Sequence, residues 1–421
     1  MRVAQSHHLN QLTHLGAGFY CVSAVLAGLL LWGLYTWGSQ QLIYGLGVTA
    51  LNVPFYWGAY IVNFVFFVGL SAGGIVVASM VHALGLERFR PVSRIAEVLA
   101  ISCLTLATMF IFFDLGRPDR FLNLLKYARP MSPLIWDVIV ITLYMGMALI
   151  LAYFSTRVDL VRCMEKIPSR SRFYRWLTLG YTDVSPRALA RDKIILRVFA
   201  VLAIPGAVAL HSVTAWIFGL LKATPGWNTA ILAPLFVGSA LVSGLALVTL
   251  TSVLGRQFLK LDIEEKLIRD MGKLLAFLIP VLGYFLFAEW ITVMYAQEPA
   301  RLSLFQELMF GNYATVFWFD LLLGLIIPFV ILAVPGTRTV AGVGLASALV
   351  VVGVLAERVN LVVAPLMFRF LVPQITFYVP SWVELSVILG TYAVGVLVFV
   401  VLAKILPLVE IEEPASRRAG I

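Results

Sequence analysis

The sequence is short of charge and of cysteine. Asp, Glu, Lys and Arg make up only 13% of its 421 residues, about half the share of a soluble domain. A water-facing globule of this length is therefore excluded. The three cysteines, Cys21, Cys103 and Cys163, are far apart and form no C-x-x-C. This argues against an iron–sulfur cluster or an attached c-type haem held by this chain. Histidine is scarce too, with five in all. His211 is the only one well inside an apolar run, and His82 sits at the end of another at a different depth, so the two do not suit one b-type haem. His7, His8 and His14 precede the first run and read as interfacial. No His/Glu pair recurs at i, i+3 or i+4 within a run, which leaves a metal site without support. The longest polar stretch, 157–193, is too short and too charged to build a core.

What the chain has instead is apolar length. Hydrophobic residues make up 61% of it, and runs near the ~20 residues that span a bilayer core recur throughout. Ten are expected: 17–37, 57–84, 94–115, 133–156, 194–221, 232–255, 272–296, 313–333, 339–357 and 382–406. The first follows only Arg2 and polar residues and reads as an uncleaved anchor. The fold class is an all-α polytopic membrane protein of about ten transmembrane helices.

The net charge of +9 sorts by side. With the N-terminus inside, the outer segments hold Arg117, Arg120, Lys126, Arg129, Lys222, Arg301, Arg358 and Arg369, 8 of the 31 Lys and Arg. The other 23 are inside, which predicts cytoplasmic termini. The excess is a topology signal and not a nucleic-acid footprint. Segment 157–193, rich in Arg and Lys, reads as topology plus attraction to anionic lipid. Loop 116–132 breaks the trend with four outward basic residues. It suggests a docking surface for a partner or an anionic head group, against the plainer reading of a solvated loop with an Asp119–Arg120 surface pair.

Two segments, 57–221 and 232–357, each hold four helices and share features. FIFFDLG at Asp114 corresponds to FLFAEW at Glu289, and SPLIWDV at Trp136 and Asp137 to ATVFWFDLLLG at Asp320. This predicts two four-helix bundles as internal parallel repeats flanked by helices 1 and 10, with chance likeness among apolar segments as the competing reading. The expected organisation is an anchor at 1–56, bundles at 57–221 and 222–372, and a terminal helix and tail at 373–421. GLSAGG (69–74) and SALVSGLAL (239–247) offer small residues for close helix packing.

Asp114, Asp137, Glu289, Asp320, Glu357 and Glu384 all fall toward the outer face. Ionisable groups in hydrocarbon are costly and mark sites. A quinone needs an apolar slot, polar groups at its carbonyls and a proton acceptor. Asp114, Asp137, His211 and Asn63 suit that role, with Trp136 as an aromatic wall. Asp114 pairing with Arg117 and His211 bonding a backbone carbonyl are the structural alternatives. Glu289, Asp320, Glu357, Arg358 and Glu384 form a proton path or structural ion pairs. Glu357 and Arg358 are adjacent and point apart on a helix, so Arg358 is expected to pair with an acid from another helix.

The segments YWGAYIVNFVFFVGLSAGG, FDLGRPDRFLNLL, SPLIWDV, HSVTAWIFG and YVPSWVEL resemble those of the NrfD/PsrC family. The resemblance covers nearly the whole chain and is nearest the ten-helix branch of HybB-type, DsrP-type and alternative complex III subunits. It implies a subunit of a prokaryotic inner-membrane redox complex. A menaquinone or ubiquinone would bind near the periplasmic face at Asn63, Asp114, Arg117, Asp137 and His211. The partner would be a periplasmic, ferredoxin-like iron–sulfur subunit, and this chain would hold no haem or cluster. Near Asn63, Phe64 and Phe66 the family often has a tyrosine or histidine, so this chain departs from the pattern there. Two other readings are a quinone-free proton-conducting or anchoring subunit, and a transporter of a small anion with helices broken near Pro205-Gly206 and Pro280.

Overall fold

In hydrocarbon an apolar run satisfies its backbone groups by coiling on itself. The computed structural model, which describes residues 16–224, 226–367 and 378–407, is accordingly helical. His7, His8, His14 and Arg369 lie outside the described residues. Ten described helices are long and apolar enough to cross a membrane. They are α1 (Ala17–Thr36), α2 (Ala59–His82), α3 (Arg90–Asp114), α4 (Pro133–Lys166), α5 (Pro186–Gly219), α6 (Leu232–Phe258), α7 (Glu265–Ala296), α8 (Ala314–Ala333), α9 (Val340–Val362) and α10 (Trp382–Ile405). The protein is an all-α multi-pass membrane protein, and each expected run maps onto one helix. Proline opens α4 and α5, where its missing N–H costs nothing. A capping box, Ser381 with Glu384, opens α10.

The helices α2, α3, α4 and α5 close into one ring, each against the next, and α6, α7, α8 and α9 close into another. The rings meet mainly where α2 crosses α6, with α5 on α6 and α2 on α9 beside that crossing. α1 pairs with α10, which leans on α3. Hence α2 is buried along nearly its whole length, while α1 is mostly exposed. The α2–α6 crossing depends on Gly73 and Gly244, whose backbones touch; a Cβ on either would strike the other chain segment. Small residues at 69–74 and 239–247 are thus packing features.

Two expected helix breaks are corrected. α5 runs unbroken through Pro205, and α7 through Pro280. Irregular turns lie instead in α8, where Asp320–Ile326 widens into a π-helical segment, and just past α1, where Trp37–Gln41 does the same. The polar stretch 157–193 is largely helical, because α4 continues to Lys166 and α5 begins at Pro186. Each of these has 34 residues, about 51 Å of helix, so both project beyond a ~30 Å core. Finally, Arg157 does not face lipid. It is fully buried, donates to Asp192 (Nε to Oδ2, 2.8 Å) and to the Asp183 carbonyl (2.7 Å), and stacks over Tyr181 at 4.4 Å.

Candidate functional site

Asp114, Asp137 and Glu384 lie at helix ends on one side of the bundle, here termed the acidic end; the other is the basic end. Beneath the acidic end, the seam between the two rings is polar. On α4, buried Asp137 faces α5, where Thr214 Oγ1 lies 2.6 Å from Asp137 Oδ1 and 2.9 Å from the Leu210 carbonyl. A hydroxyl carries one proton. Thr214 therefore donates to the Asp137 carboxylate or to the Leu210 carbonyl, one at a time. One turn back on α5 is His211, buried, with Nε2 lacking a partner among the described residues. Arg358 of α9, in the other ring, is near enough for its charge to reach His211.

Arg358 is almost wholly buried. Its Nη2 donates to Ser239 of α6 at 2.8 Å, and Ser239 Oγ donates to Glu357 Oε2 at 2.6 Å. Nη1 reaches Glu357 Oε1 at 3.3 Å. The guanidinium lies over Phe236 at 4.7 Å, and its Nε is unpartnered among the described residues. This corrects the expectation that Arg358 pairs with an acid on another helix. The adjacent Glu357 bends to the same serine, and the second helix supplies that serine instead of an acid. Asp320, buried at the start of the α8 π turn, lies beside Glu357, Arg358 and Asn360. The side chains thus step from Asp137 through Thr214, His211 and Arg358 to Glu357 and Asp320, from one ring into the other.

An aromatic group covers this seam at the acidic end. Trp57, Phe218 and Trp227 meet with ring centroids 5.2–5.5 Å apart. Trp227 is fully buried, and its Nε1 donates to the Leu361 carbonyl at 2.6 Å. Each such pair contributes ~0.5–1.5 kcal/mol beyond its burial. The seam therefore has aromatic walls and polar groups with unfilled hydrogen-bonding positions.

The other expected residues go elsewhere. Asn63 faces α10: its Nδ2 donates to the Ala59 carbonyl at 2.8 Å, and its Oδ1 accepts from Tyr392 at 2.6 Å. Asp114 joins a corner with Tyr60, Gln41 and Glu384. It does not pair with Arg117, which bonds Asp119 on the surface at 3.0 Å and holds that carboxyl below its usual range. Nor does Asp119 pair with Arg120 in the way the sequence suggests. Glu384 lies apart from Asp320 and Glu357. It accepts from Tyr378, from the Ala50 N–H (2.9 Å) and from the Ser381 N–H (2.8 Å), tying α10 to the α1–α2 connection. Trp136 donates to the Pro130 carbonyl and steadies the loop instead of walling a site. Glu289 pairs with Arg301 and accepts from Thr229 at 2.9 Å, anchoring the short helix Pro299–Phe310.

The reading of buried acids as one-sided is also corrected. At the basic end, Arg94 bonds Asp159 at 2.7 Å, and Glu97 accepts from Ser155 and lies 3.7 Å from His82. These residues sit where apolar runs begin or end, so in the sequence they read as loop charge. Thr214 was more accessible to inference, three residues after His211 and hence on its face. Trp227 lies in a loop, and no periodicity points to it.

The family model described as polysulphide reductase, NrfD, matches residues 47–370, most of the chain. The chain belongs to the NrfD family. This NrfD protein is 33% identical over 407 residues to a putative dimethyl sulfoxide reductase membrane subunit of Halobacterium salinarum, covering 91% of this chain and 90% of that one. It is 27% identical over 393 residues to a selenate reductase subunit of Mesobacillus selenatarsenatis, with 89% and 91% covered. With the Hdr-like menaquinol oxidoreductase integral membrane subunit of Archaeoglobus fulgidus it shares 26% identity over 411 residues, with 93% and 94% covered. These relatives match along their length, so the NrfD chain is comparable to whole membrane subunits.

Proposed function

We propose that this NrfD protein is the quinone-binding membrane subunit of a multi-subunit redox complex. The observation that carries the reading is the seam that holds the Asp137–Thr214 pair, with His211 one turn away and Arg358 across from it in the other ring, beneath Trp57, Phe218 and Trp227. Two of its polar groups, His211 Nε2 and Arg358 Nε, are buried without partners among the described residues. Buried donors and acceptors left open are costly unless something fills them, and the two carbonyl oxygens of a quinone head offer what a guanidinium and an imidazole can bond. The relatives' names, two reductase subunits and a menaquinol oxidoreductase subunit, support the class.

In this reading a bound quinol supplies two electrons and two protons and leaves as quinone. His211 and the Asp137–Thr214 pair receive the protons, and an iron–sulfur partner docked at the acidic end takes the electrons. The basic loop with Arg117, Arg120, Lys126 and Arg129 is the docking face. A second reading, proton conduction, has its own support. Asp320, Glu357 and Asn360 lie beside one another and continue the polar chain into the second ring.

Organic extraction of the purified complex should release about one quinone per chain, and His211→Ala should lower that severalfold. A complex that turns over with no extractable quinone would leave the anchoring role. The acidic end faces the periplasm in this proposal, with both termini in the cytoplasm. A membrane-impermeant thiol reagent should therefore label Lys126→Cys in intact cells and spare Arg172→Cys. The opposite pattern would turn the protein over and send its partner to the cytoplasmic side.

A further inference from the structure

A pocket of about 370 Å³ opens at the basic end of the first ring, among the ends of α2, α3, α4 and α5. Its rim carries Arg90, Arg162, Lys193 and Arg197. The acids that line it are engaged: Asp159 with Arg94 and Arg162 (2.7 and 3.0 Å), Glu87 with Arg90 (3.3 Å), and Asp192 with Arg157 behind the wall. Exposed Lys193 and Arg197 have no acidic partner among the described residues, so positive charge is left over at the mouth.

The level of the pocket is informative. Val81, Phe154 and Leu196, on its wall, belong to the apolar runs 57–84, 133–156 and 194–221. Asp159, Arg162 and Lys193 lie just past the ends of those runs. The pocket therefore straddles the boundary between hydrocarbon and water, where lipid head groups sit. Basic pockets between transmembrane helices at that depth recognise anionic head groups, with Lys acting as a point charge and Arg as a fork on phosphate oxygens.

We propose that this pocket binds the phosphodiester head group of an anionic phospholipid from the leaflet at the basic end. Lys193 and Arg197 contact the phosphate, while Val81, Phe154 and Leu196 meet the glycerol and upper acyl carbons. A lipid is favoured over a free anion because Val81, Phe154 and Leu196 line the pocket beside its basic rim. The lipid would tie together the basic ends of α3, α4 and α5, two of which carry Asp137 and His211 farther along.

The test uses the intact complex. Retained phosphatidylglycerol is counted by native mass spectrometry after detergent exchange, and Tm is measured with phosphatidylglycerol, phosphatidylcholine or inorganic phosphate. Expected is about one retained phosphatidylglycerol per chain, with a rise in Tm that phosphatidylcholine does not give. Lys193→Gln and Arg197→Gln should each weaken retention ~5-fold, and together ~30-fold. Both side chains are exposed, so the single variants keep the bundle folded. Arg172→Gln with Arg175→Gln, exposed in the same basic segment, should retain the lipid. Unchanged retention in Lys193→Gln/Arg197→Gln overturns the proposal. So does an equal loss in Arg172→Gln/Arg175→Gln, which would mean diffuse attraction only. Protection by inorganic phosphate equal to that by phosphatidylglycerol overturns the lipid as the source.

Discussion

Asp137→Asn is expected to lower quinol-linked turnover of the assembled complex by ~10²-fold or more, the usual contribution of a positioned general base. Asparagine keeps the shape of aspartate, and its amide can still bond Thr214. It cannot take up and release a proton. Assembly should therefore be retained while kcat falls, and the quinone extracted per chain should be unchanged. Thr214→Val provides the companion measurement. It leaves the carboxyl in place but removes the 2.6 Å contact that aims it, so a smaller loss is expected. Full turnover in Asp137→Asn would remove this acid from the proton chemistry and leave His211 as the acceptor.

Arg358→Ala should have the largest effect on the protein as a whole. The guanidinium joins Glu357, Ser239 and the Phe236 ring at the junction of the two rings. Removing it strands Glu357 and Asp320 without a cation in an apolar interior. Breaking a buried pair from one side costs ~3–5 kcal/mol, a large part of a typical folding free energy. Little assembled complex should be recovered. Arg358→Met combined with Glu357→Leu separates stability from function, since replacing a whole buried pair with apolar residues is often neutral or stabilising. Recovered assembly with turnover still lost would assign Arg358 a role at the quinone. Recovered assembly with full turnover would make the pair structural. Arg358→Lys should assemble better than Arg358→Ala but function poorly, because an ammonium cannot bridge Glu357 and Ser239 as a fork does.

Several expectations failed for a common reason. Depth along a helix follows from counting residues, whereas facing depends on the neighbours. Asn63 and His211 sit at related depths, yet Asn63 faces Tyr392 on α10 while His211 faces the seam. Sequence order groups Glu384 with Glu289, Asp320 and Glu357. The path of the chain returns α10 to α1 and α3, and Glu384 with it. Glu289 and Trp136 each met a local partner, Arg301 and the Pro130 carbonyl, which composition gave no reason to choose. Arg157 and Asp192, 35 residues apart, look like loop charge in the sequence because helices that outrun the bilayer leave no hydropathy signal where they do so.

Hydropathy by itself determined that this is a multi-pass membrane protein, since apolar runs of that length have no other stable state in lipid than a helix. Segments such as FDLGRPDRFLNLL and SPLIWDV determined the family. The depth of Asp137, His211 and Asp320 also followed from the sequence, because a helix advances by a fixed rise per residue. Tertiary structure alone decided which of these polar groups meet. Contact across the seam depends on the rotation of α4, α5, α6 and α9 about their axes. That rotation is set by packing between helices distant in the chain, above all where Gly73 and Gly244 let α2 and α6 touch.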